Sequence, residues 1–100
     1  MSDNVSPFVI PDGATTEGRT NNGGPQWIVT MPNGYGASVV CSAYSYGGDR
    51  GLWELAVLGP DGSIDYDTPI TADVLGWLAP SDVSDLLAQI ATLPASVVAP

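Results

Sequence analysis

The groups in this chain that could do chemistry are one thiol, a set of hydroxyls and eleven carboxylates. Cys41 is a nucleophile only as a thiolate, and the sequence has no histidine to draw off its proton. It lies in the middle of an alternating stretch, the usual setting of a small buried hydrophobe. The serines lack a base, and none stands in the Gly-x-Ser-x-Gly turn that lifts a nucleophilic hydroxyl. Asp61, Asp65 and Asp67 crowd one turn, where carboxylates and carbonyls together could hold calcium. The run DGSIDYD nevertheless lacks the spacing and closing glutamate of a calcium loop, so a solvated acidic face is expected. Glu54 with a second carboxylate would suit glycoside cleavage, but nothing fixes the separation of such a pair. The glycine-rich run Ser45 to Gly51 has no lysine and opens no helix, unlike a phosphate loop, and is expected to be a flexible loop. No catalytic residue, metal or cofactor is expected, and the chain reads as a non-enzyme.

Charge narrows the partners. Arg19 and Arg50 face eleven acids, for a net charge of −9. Displacing counterions from nucleic-acid phosphates takes many cations, and anionic membranes make the same demand, so neither partner is expected. The sign fits an acidic decoy that imitates nucleic acid, although the acids form no single run. Trp27, Trp53 and Trp77, with Tyr35, Tyr44, Tyr46 and Tyr66, are more rings than one helix stripe can cover. Trp and Tyr are favoured interface anchors. The expected contact surface is Tyr44, Tyr46, Arg50 and Glu54, on a sheet face left open to another chain.

These residues need elements to position them. A hundred residues make one domain. Residues 1–25 read as a flexible polar arm, in which Phe8-Val9-Ile10 either docks along a sheet edge or stays loose. Residues 26–94 read as a single α+β domain, and 95–100 as a flexible tail. Gln26 to Met31, Tyr35 to Tyr44 and Leu52 to Leu58 carry strand patterning, and Asn33-Gly34 is a strong hairpin signal. Ser63 to Asp67 is expected as a short fourth strand after the GPDG turn. Two C-terminal helices then follow: one capped by Thr71, running through Leu78 and stopped by Pro80, and a second capped by Ser81. Val83, Leu86, Leu87, Ile90 and Leu93 form the buried stripe of the second. The expected fold is α+β, an antiparallel meander of three or four strands with two helices, one packed on a sheet face. The bare face would favour a homodimer. The longest apolar run, Leu55 to Leu58, is far short of the roughly 18 residues of a membrane span. No basic start leads into an apolar stretch as in a signal peptide, and the single cysteine cannot form an internal disulfide.

The motifs NGYGASVV (33–40), SYGG (45–48), GLWELAVL (51–58), YDTPIT (66–71) and DVLGWL (73–78) carry a resemblance. Over Asn33 to about Leu93, the chain resembles a group of small proteins of actinobacterial phages. That group brings no established activity, cofactor or catalytic residues. The resemblance implies a phage-encoded accessory protein acting on a host or phage protein in the bacterial cytoplasm.

Overall fold

A computed structural model describes residues 7–71 and 73–94. The first hairpin is set by Asn22 and Gly23, whose φ angles of 50° and 81° are those of a tight two-residue turn. It joins β1 (Thr15–Asn21) to β2 (Gly24–Thr30). A second hairpin through Asn33-Gly34 leads to β3 (Gly36–Val40); a glycine-rich loop leads to β4 (Trp53–Leu58), and β5 (Leu75–Leu78) closes the sheet. Neighbours in sequence are neighbours in space, giving a five-stranded antiparallel meander in the order β1-β2-β3-β4-β5. One helix, α1 (Pro80–Ala91), follows.

Period-two alternation decides what the sheet buries. Trp27, Val29, Ala37, Val39, Trp53, Leu55 and Val57 lie on one face and are all buried. Against them α1 lays Val83, Leu87 and Ile90, each at 0% exposure, with Leu86 and Leu93 partly buried beside them. The helix stripe and the strand faces are those the sequence predicts.

Three elements differ from expectation. The segment read as an arm contains β1, which pairs with β2 along its whole length from Thr15↔Thr30 to Asn21↔Gly24. Its Thr, Glu, Gly and Arg are fully adequate for an edge strand that buries no side chain of its own. The fourth strand expected at Ser63 to Asp67 is reduced to a single bridge, Leu58↔Ile64. The turn there is instead held locally, with Ser63 donating through both its amide and its hydroxyl to the Asp61 carboxylate.

The first expected helix is a correction as well. The second half of that segment, Leu75–Leu78, is a strand and not a helix, because β4 would otherwise leave its outer backbone groups unpaired, and Leu75 and Leu78 answer Leu55 and Trp53 across the ladder. Gly76, a poor helix former, sits where a Cβ would collide with the Tyr46 side chain. Pro80 accordingly opens α1 rather than stopping a helix, since the first helical position needs no N–H. The cap is Ala79, whose amide donates to Asp82 Oδ2 at 2.9 Å, and not Ser81.

The segment Phe8-Val9-Ile10 docks on the core rather than along an edge. The Phe8 ring stands edge-on to Trp53, with centroids 5.4 Å apart at 87°. The Val9 amide donates to Ser84 Oγ on α1 at 2.8 Å. No helix among the described residues is long and apolar enough to cross a membrane. The tail 95–100 lies outside the described residues.

Candidate functional site

Helix α1 covers one side of the sheet, so the other side and its margins hold the exposed chemistry. Cross-strand pairing puts Glu17, Ile28, Ser38 and Ala56 in one row of that face, and Arg19, Gln26, Val40 and Glu54 in the next. Gln26 donates to Ser38 Oγ at 2.8 Å and accepts from Asn21 Nδ2 at 3.3 Å. The central residues of the face are half-buried, while Ala56 and Leu58 are buried despite lying on it.

Tyr44 and Tyr46 rise from the loop at one end of this face, at 83% and 62% exposure. That loop is heavily hydrogen-bonded. Ser45 Oγ accepts from the Ser42 amide at 2.8 Å and donates to the Ser42 carbonyl at 3.0 Å. Gly47 and Gly51, at φ 90° and 73°, flank a 3₁₀ turn at Gly48–Arg50, and both the Arg50 and Leu52 amides donate to the Gly47 carbonyl. A Cβ at Gly48 would run into the Ser42 carbonyl, so the loop closes tightly on itself.

Glu54 joins this loop to the sheet. Its Oε1 accepts the Tyr46 amide at 2.8 Å, and the Tyr46 carbonyl in turn accepts the Trp77 amide at 3.1 Å. The backbone of Tyr46 is therefore held from β4 on one side and from β5 on the other. Tyr44, Glu54, Val40, Ser42, the last β1 residue Asn21 and the turn residue Asn22 surround an open depression of about 190 Å³.

Of the four residues predicted as a contact surface, Tyr44, Tyr46 and Glu54 come together. Arg50 has an exposed side chain, and its backbone closes the 3₁₀ turn; no ion pair joins it to Glu54. Trp77 was missed. The sequence pattern places it in an apolar helix face, but it is 57% exposed and holds a φ of 60°. The ladder explains this. Between the pairs Trp53↔Leu78 and Leu55↔Leu75, the single residue Glu54 of β4 is opposed by two of β5, so β5 bulges at Gly76-Trp77. A left-handed backbone is costly for a bulky residue, about 1–2 kcal/mol. The Gly-Trp pair in an otherwise apolar edge segment was the only signal in the sequence.

The other candidates resolve into structure. Cys41 is partly buried against the core, with its thiol 3.7 Å from the Gly48 carbonyl. Asp65 Oδ1 accepts the Asp67 amide, and Asp61 is engaged by Ser63. These hydrogen bonds, the Ser63 hydroxyl first and its amide second, hold the Asp61 carboxyl below the usual range. No group of three thiol or carboxylate side chains among the described residues is arranged to hold a metal. On the open face, the one ion pair among the described residues joins Arg19 Nε to Glu17 Oε2 at 3.0 Å. Arg19 also borders a second hollow of about 250 Å³ with Ile28, Thr30, Tyr35 and Leu58.

The class defined by this geometry is α+β, a five-stranded antiparallel meander with one helix on one face. No protein-family model, curated protein or solved structure matches the chain.

Proposed function

We propose that this protein is a non-enzymatic interaction module, encoded by a phage, that binds a host or phage protein through Tyr44, Tyr46 and Trp77 around Glu54. The observation that carries the reading is the placement of Trp77. Its backbone serves the fold by bonding Tyr46, but its indole keeps more than half of its surface in solvent at a strained backbone angle, so the ring itself is left free for a partner. Exposed Tyr46, whose carbonyl accepts the Trp77 amide, and exposed Tyr44, two residues earlier in the same loop, add amphipathic rings of the kind interfaces use as anchors. The Glu54 clamp on Tyr46 fixes the loop in advance, which lowers the ordering cost of binding. Action in the bacterial cytoplasm follows from the phage resemblance and belongs to the same proposal.

The test compares capture of host proteins by the wild-type chain with capture by a Tyr44→Ala/Tyr46→Ala double variant and by Trp77→Ala. A partner retained by wild type and lost by both variants, with their folding intact by circular dichroism, supports the reading. A partner retained equally by all three overturns it. The net charge of −9 favours one competing reading, an acidic decoy for DNA-binding proteins. Capture by a decoy would fall steeply with added salt, whereas aromatic contacts would barely respond.

A further inference from the structure

We propose that β1 is a self-complementary edge, and that two copies of this chain join antiparallel through it, with the two-fold axis at Gly18, to form one continuous sheet. The inference concerns a different surface from the aromatic end of the loop and stands independently of the function proposed above.

The backbone directions come first. The Cys41 amide donates to the Pro25 carbonyl, and the Met31 amide to the Tyr35 carbonyl, so the odd-numbered residues of β2 turn their hydrogen-bonding groups toward β3. The even-numbered residues of β2 therefore face β1, where their partners are Thr15, Glu17, Arg19 and Asn21. Thr16, Gly18 and Thr20 are left pointing their N–H and C=O groups away from the sheet. No other strand among the described residues covers them.

An uncovered edge of this kind is a template for another strand, and proteins ordinarily blunt it with proline, lysine, a bulge or a very short strand. β1 has no proline, lysine or bulge, and its two charges, Glu17 and Arg19, are of opposite sign and so can pair across an antiparallel copy. It is seven residues long, regularly paired on its inner side, and exposed from Thr15 to Thr20.

The sequence around Gly18 then specifies the partner. Thr16-Glu17-Gly18-Arg19-Thr20 laid antiparallel on a second copy of itself sets Gly18 opposite Gly18, Thr16 opposite Thr20 and Glu17 opposite Arg19. The Gly18 and Thr pairs fall on the residues whose backbone groups point outward, so they are the hydrogen-bonded pairs. The Glu17 and Arg19 pairs fall on the alternate positions, where opposing side chains stand closest. Opposite charges thus meet on both sides of the axis. Moving the axis by one residue would set Glu17 against Glu17, or Arg19 against Arg19.

Gly18 also suits the axis sterically. A side chain there would meet the Trp27 ring of β2 at 3.3 Å, and its absence lets that ring lie over the edge. Pairing stops at two copies, because both use the same edge. The opposite edge, β5, is four residues long, is broken by the Gly76-Trp77 bulge and has already given the Trp77 amide to Tyr46.

Sedimentation or light scattering of the full chain from micromolar to millimolar concentration reads the assembly directly. The expected mass rises from 10.3 kDa to twice that value. Glu17→Arg sets Arg against Arg, and Arg19→Glu sets Glu against Glu, so each variant alone should remain at the single-chain mass. An equimolar mixture of the two restores both opposite-charge pairs and should return to the double mass. Thr16→Pro deletes an outward N–H and none of the bonds to β2, so it should also stay at the single-chain mass with an unchanged circular dichroism spectrum. A wild-type chain that never exceeds the single-chain mass overturns the proposal. So does a dimer that survives both charge reversals and the proline.

Discussion

Asn33 Nδ2 donates to the Ile90 carbonyl at 2.9 Å, fastening the β2–β3 hairpin to the end of α1, fifty-seven residues on in the chain. The same nitrogen donates to Leu93 at 3.0 Å, while Asn33 Oδ1 accepts the Tyr35 amide within its own turn. The last carbonyls of a helix have no partner inside it, and a neutral amide with one donor end and one acceptor end serves both the turn and the helix. An asparagine chosen for its tolerance of a tight turn thus also sets where the helix docks.

Asn33→Ala should accordingly destabilise the fold by about 1–2 kcal/mol, because the Leu93 carbonyl and the Tyr35 amide lose their Asn33 partner, while the Ile90 carbonyl keeps only the Leu93 and Thr92 amides. Asn33→Asp should cost more than Ala, since it brings a carboxylate against the negative end of the helix. Urea midpoints at constant m-value measure both. An Asp variant as stable as wild type would contradict this account.

Phe8 makes the N-terminal segment part of the core. Its ring is 5% exposed and stacks edge-on to Trp53. Phe8→Ala should lower stability by about 3 kcal/mol or more. Val9→Ala, at a residue 72% exposed, should change little. Equal effects from the two substitutions would show that the segment does not dock as described.

Stability and binding should separate at Trp77. Trp77→Asn places a residue tolerant of left-handed backbone at φ 60° and should hold or raise the thermal midpoint while weakening partner capture. Gly76→Ala should instead lower the midpoint, because its new methyl group meets Tyr46. A Trp77→Asn variant that unfolds at markedly lower temperature would assign the indole to structure.

Acid should affect Glu17 and Asp61 late. Arg19, by its hydrogen bond first and its charge second, holds Glu17 below its ordinary 4.5, and Ser63 holds Asp61 below its ordinary 3.8. Both carboxyls bind a proton less readily folded than unfolded. Their contribution is therefore complete above those ordinary values and fades as pH falls through the lowered ones. Both are fully exposed, so the effect on stability is small. Carboxyl NMR titration reads it, and Arg19→Gln should return Glu17 toward 4.5. A Glu17 titration unmoved by Arg19→Gln would show that the pair does not persist in solution.

Period-two and period-3.6 patterning made the core legible from the residues alone. Trp27, Val29, Leu55 and Val57 on the strands, and Val83, Leu87 and Ile90 on the helix, had one consistent way to bury their apolar surface. Asn33-Gly34 announced its hairpin, and Tyr44, Tyr46 and Glu54 could be placed together because their loop joins two strongly patterned strands. The fates of Thr15–Asn21 and Leu75–Leu78 could not be read in this way. Neither has a decisive preference of its own; each became a strand because β2 and β4 had backbone groups left to satisfy. Trp77 followed from the same cause, for the exposed indole comes from a mismatch of one residue between two paired strands. Local patterning shows which side chains are removed from water, but the edge a chain segment completes, and the ring that completion pushes outward, are decided only when distant strands meet.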